Sequence, residues 1–263
     1  MAEKKEIVFR GGGFKYVPIS YIAPIVFVLL IAVLEWGTRT EFISNLTLPR
    51  PSGVFEAFVE LYDTGLLFKH LTPSLSRLLV GSFFGISFGV AVGVMIALFS
   101  YVRAGLLPVV AALFPVPKIA LLPLFVIWFG IDEGSKYALI AFGTFTPTVI
   151  ATYASVDNVD RNLIRMGQSF GLSWFSIVRK IVLPGALPGI ISGLRISFAI
   201  GLILLVAAEM LGASYGIGAY VLEAGSLYDL ERLFAGVTIL SFIGVMINWI
   251  SGIIERRLLS WRT

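Results

Sequence analysis

The sequence predicts an all-α integral membrane protein with six transmembrane helices. Of its 263 residues, 57% are hydrophobic and only 14% are charged, whereas a soluble domain carries about 25% charged residues. Mean hydropathy is +0.93. Apolar runs of 20 or more residues recur along the chain, and about 20 helical residues cross ~30 Å of hydrocarbon. The net charge of +4 and isoelectric point near 9.4 read as basic cytoplasmic loops rather than a nucleic-acid surface.

The first predicted span is Val17–Trp36. Lys4, Lys5, Arg10 and Lys15 precede it, and no small-residue cleavage site follows, so it reads as a retained helix rather than a signal peptide. Residues 54–67 place Phe55, Phe58 and Val59 opposite Glu56, Glu60 and Asp63, which predicts a short amphipathic helix. Leu78–Tyr101 is an uncharged second span carrying Gly81, Gly85, Gly89 and Gly93 at four-residue spacing. Such a stripe lets a neighbouring helix approach closely. Ala104–Ile131 contains Pro108, Pro115, Pro117, Lys118 and Pro123, which predicts a broken third element lining protein or a wet cavity. Tyr137–Val156, Ile190–Leu211 and Leu233–Ile254 complete the six.

With the N-terminus inside, twelve basic residues fall on cytoplasmic segments and five outside. The expected orientation therefore has both termini in the cytoplasm. Chemistry of its own is not expected of the chain. It has no cysteine, so no thiolate metal site, and its single histidine, His70, reads as a loop residue. No G-x-x-x-x-G-K-[ST] phosphate loop is present. No catalytic residue, cofactor or metal is assigned.

Residues 157–184 form the most elaborate loop. Asp160–Phe170 reads as a short helix with Leu163, Met166, Gly167 and Phe170 on one face. Gly171 suits the left-handed position after a helix, and Ser173 suits the cap of a second helix, Trp174–Val182, which Pro184 should end. An apolar helix face turned to the cytoplasm calls for a groove on another protein.

The run Gly171, Ile181, Leu183, Pro184 resembles the G-x9-I-x-L-P ending of the E-A-A loop in bacterial ABC-importer permeases, with Arg165, Met166 and Gly167 at the E-A-A positions. L-L-P-L-F-V-I-W-F-G-I-D-E-G-S-K (121–136), L-P-G-I-I-S-G-L-R (187–195), V-A-A-E-M (206–210), G-I-G-A-Y (216–220) and E-R-R-L-L-S-W-R (255–262) resemble the taurine, aliphatic-sulfonate and nitrate branch of that family. The resemblance implies the type I importer (MetI-like) permease fold in the bacterial inner membrane. It implies two ATP-binding subunits, a second permease copy in a homodimer, and a periplasmic solute-binding protein as partners. It places Arg165, Met166, Gly167, Phe170, Gly171, Leu183 and Pro184 at the ATPase contact. The expected organisation is a cytoplasmic tail (1–16), a six-helix permease domain (17–254) holding the 157–184 loop, and a second tail (255–263).

Charges within spans are costly, which marks them as structural pairs or functional groups. Lys118, Arg195 and Glu209, with the hydroxyls of Thr144 and Thr148, are the pathway candidates. Arg195 and Glu209 are 14 residues apart, about 21 Å along a helix, so they should not pair. The cations would suit an anionic solute, and the resemblance implies taurine or another sulfonate, with nitrate, bicarbonate and thiamine-precursor-like pyrimidines open. The alternative, an ion-coupled secondary transporter or channel subunit, would call for paired intramembrane acids and an inverted repeat. Neither is visible.

Overall fold

A computed structural model of the chain describes residues 21–259. The 1–16 tail, the start of the first span and residues 260–263 lie outside the described residues. All regular secondary structure among the described residues is helical, and the chain divides into two units between Gly53 and Val54.

In the first unit, α1 (Ile22–Arg39) is a candidate span with an apolar, exposed surface. Its last turns are tied to the start of α2 (Pro51–Asp63) by Glu35, which accepts from the Ser52 N–H at 3.0 Å and the Ser52 hydroxyl at 2.8 Å.

The second unit is built on three long helices. These are α3 (Leu66–Leu98), α6 (Glu133–Asp157) and the continuous helical rod Trp174–Gly212. The glycine stripe of α3 meets α6 one turn at a time. A Cβ added at Gly81 would stand 2.7 Å from the Ile140 Cβ, one at Gly89 2.7 Å from the Thr148 Cβ, and one at Gly93 2.6 Å from the Thr152 Cβ. Sequence numbers rise together along this contact, so α3 and α6 run parallel. The intervening segment must therefore return the chain along the bundle. It does so as α4 (Ser100–Leu113) and, after a 93° bend, a 3₁₀ turn (Lys118–Leu121) running into α5 (Leu122–Phe129). This is the predicted broken element, and with it the candidate spans number six. The rod packs antiparallel to α6, where Gly193 approaches Ala151 and Gly201 approaches Thr144, and it touches α3 at Leu78 and Ser82.

Boundaries differ from expectation where tertiary contacts decide them. Helix α3 starts at Leu66 rather than near Leu78, because His70, Ser74 and Arg77 find buried partners. Pro184 does not end a helix. Short α8 (Trp174–Ile177), a π turn (Val178–Val182) and α9 (Leu183–Gly212) form one rod. In a π turn a carbonyl is reached by the N–H five residues on, so one residue without an N–H is tolerated. Helix α10 (Ile217–Ser226), which the sequence reading passed over, and α11 (Leu230–Leu258) close the unit.

Candidate functional site

At one end of the bundle, α7 (Arg161–Ser169) and α8 form a two-helix cap strung between α6 and α9. Asp160 caps α7 by accepting from the Asn162 N–H at 2.8 Å. The helix ends in paired reverse bonds: Gly171 N–H to the Gln168 carbonyl at 2.9 Å, and Leu172 N–H to the Gly167 carbonyl at 3.0 Å. This closure needs a left-handed residue, and Gly171 supplies it at φ +71°. Ser173 caps α8, accepting from the Ser176 N–H at 3.4 Å.

The cap rests on an apolar core of Val156, Val159, Ile177, Val182 and Ala186, with Ile164 and Ile181 against it. Its other face is open. Met166 is 49% exposed and Phe170 79%, and Leu163, Trp174 and Phe175 are exposed beside them. Gly167 is turned inward instead, where an added Cβ would meet the terminal methyl of Ile181 at 2.8 Å. Arg165 is exposed and lines a groove of about 340 Å³ with Asp157, Arg161 and Gln168. Leu183 and Pro184 stand on the rod below the cap, not at a helix end.

The opposite end of the bundle holds a buried charge centre that sequence reasoning missed. Arg77 is 3% exposed. It donates to both carboxylate oxygens of Glu133 at 2.6 Å, to Glu209 Oε1 at 2.7 Å, and to the Tyr215 carbonyl at 2.6 Å. Glu209 also accepts from the Ser74 hydroxyl at 2.7 Å and the Gly218 N–H at 2.8 Å. Ser74 in turn accepts from the Ile217 N–H at 2.9 Å. His70 is no loop residue: it is buried on α3, its Nδ1 2.9 Å from the Gly216 carbonyl. An open cavity of about 570 Å³ beside the centre is lined by Ser76, Arg77, Asp132, Glu133, Lys136 and Tyr137, among others. The missed signal was His70, Ser74 and Arg77 at i, i+4 and i+7, in line with the glycine stripe.

The other pathway candidates are dispersed. Arg195 and Glu209 do not pair; Arg195 is bonded to Glu255 on α11. The hydroxyls of Thr144 and Thr148 are fully buried and bonded to the Ile140 and Thr144 carbonyls at 2.9 and 2.7 Å. Thr148 also meets Ser197 at 2.8 Å. In this arrangement both threonines lie between neighbouring helices. Lys118 sits at the bend, donating to the Phe114 carbonyl.

The sequence model of the binding-protein-dependent transport system inner membrane component matches residues 85–260. The chain belongs to this family. It is 36% identical to the taurine transport system permease protein TauC of Escherichia coli, over 89% of this chain and 87% of that one. It is 35% identical to a permease protein of Bacillus subtilis assigned to aliphatic sulfonate transport, over 89% of this chain and 85% of that one. The structure is similar to the MetNI methionine ABC transporter in an inward-facing conformation. The TM-score is 0.65 and the identity 21%, over 74% of this chain and 97% of that chain. The family makes this chain the inner-membrane permease component of an ABC importer, whose system includes ATP-binding subunits and a solute-binding protein.

Proposed function

We propose that the 157–184 cap is where the ATP-binding subunit docks, with Leu163, Met166, Phe170 and Trp174 entering its groove. Arg165, Met166, Phe170 and Gly171 form the contact, with Gly167 seating α7 on the core beneath it, and Leu183 and Pro184 pass its motion into the rod. The observation that supports this most is an apolar face held open on a rigid turn, on a chain with no nucleotide motif. Solvent-facing apolar surface of that kind is unfavourable until a partner covers it. On this reading the cap and both termini are cytoplasmic, as the excess of basic residues on that side favours. Two copies of the permease pair, each with one ATP-binding subunit. Residues 17–254 act as the permease domain, between tails at 1–16 and 255–263.

The solute is a small anion or zwitterion of the sulfonate class, as the relatives' names suggest. Lys118, at the helix break, is the cation placed to meet it, and Arg195 and Glu209 act through their ion pairs.

The test is reconstitution with the ATP-binding subunit. Wild type should co-purify as a two-plus-two complex by native mass spectrometry and hydrolyse ATP. Gly171→Glu should lose assembly or coupled hydrolysis. Unimpaired assembly and hydrolysis in that variant would overturn the docking assignment.

A further inference from the structure

The two ends of the bundle share their helices. Glu133 stands on the first turn of α6, and the last residue of α6, Asp157, leads straight into the cap. Glu209 stands on the last turn of α9, whose rod begins in the cap at Trp174. Arg77 of α3 holds both carboxylates at once. The cap is thus strung between two struts whose far ends meet at one guanidinium. The same centre grips the chain beyond the rod, through the Tyr215 carbonyl, the Ile217 N–H by way of Ser74, and the Gly218 N–H.

The two arms differ. The Glu209 arm is fully buried, while the Glu133 side chain is 46% exposed beside the 570 Å³ cavity. An exposed ion pair can open and re-form, whereas a buried pair is held by the cost of stranding either charge. A fork of two parallel N–H bonds fixes angle as well as distance. We propose that Arg77 is a positioning residue that ties α6 to α9 and α10 at the end remote from the cap. Its Glu133 arm carries cap movement to the α10 segment. This rests on the cap being the ATPase dock.

The chain has no cysteine, so single labels can be placed cleanly. One complex carries a spin label at Asn162→Cys, on exposed α7. A second carries it at Leu227→Cys, just past α10. Both are read with and without Mg–ATP plus vanadate in lipid nanodiscs. In the otherwise wild-type chain, both labels should change spectrum. In Glu133→Gln, the Asn162 label should still change, the Leu227 label should no longer change, and the complex should stay assembled. Glu133→Asp, which keeps the charge, should restore part of the Leu227 response. A Leu227 response unchanged by Glu133→Gln would overturn the proposal. So would loss of assembly in both variants, because the pair would then be structural only. A wild-type complex whose Asn162 label ignores nucleotide would sink the docking assignment, and this inference with it, by a separate readout.

Discussion

Gly171 and Glu209 show how much single residues carry at either end. At φ +71°, a side chain at Gly171 would cost roughly 1–2 kcal/mol of left-handed strain. Gly171→Ala should therefore fray the end of α7 without unfolding the bundle. Faster amide exchange confined to residues 167–173 would show it. Glu209 is the stronger case. It is buried, with Arg77 against it. Without Glu209, Arg77 keeps Glu133, but the Ser74 hydroxyl and the Gly218 N–H lose their acceptor, and each unmet buried polar group costs about 1–3 kcal/mol. Glu209→Leu should lower thermal stability in detergent by that amount for each group. Glu209→Gln should cost less, since an amide oxygen still accepts from the Gly218 N–H. Equal losses for the two would mean that the charge alone, and not the hydrogen bond an amide retains, is what the site requires.

Between elements, close approach decides. The α3–α6 contact leaves no room for a methyl group at Gly89, where a Cβ would also lie 3.0 Å from the Phe145 carbonyl. Overpacking of this kind costs about 1–3 kcal/mol. Gly89→Ala should lower the unfolding temperature, whereas alanine at Gly105, which has open space around it, should not. The stripe was legible in the sequence, but its partner was not, because small residues specify that something comes close and not which helix does. The start of α3 was illegible for a related reason. Residues 66–77 look too polar for a span until Glu209 and the backbone of α10 are brought to them. Helix α10 itself is short, and neither its length nor its apolar pattern separates it from a connection. The cap was legible because its signals are local: an apolar face at helical spacing, a left-handed glycine, a capping serine. Pro184 misled for the opposite reason, since the π turn that accommodates it depends on the packing of Val178 and Val182.

Across the whole molecule, ion pairs mark both ends, and they are not equivalent. At the cap end, Arg195–Glu255 and Arg103–Asp157 are each about one-third exposed. Pairs in that setting contribute about 0–1 kcal/mol. Arg195→Ala should barely move the unfolding temperature, whereas a drop comparable to that of Glu209→Leu would mean the pair is more deeply desolvated than its exposure indicates. The sequence alone determined that the chain is an all-helical membrane protein with a broken third element and a capped helix pair at one end. Those features follow from hydropathy, proline and local hydrogen bonding, which act over a few residues or one span. Only the tertiary structure decided that the glycine stripe of α3 packs on α6, that the charges of α3, α6 and α9 meet at Arg77, and that the hydroxyls of Thr144 and Thr148 are buried between helices. These depend on which helices face each other, and a buried charge or hydroxyl is defined by a partner that can lie more than a hundred residues away along the chain.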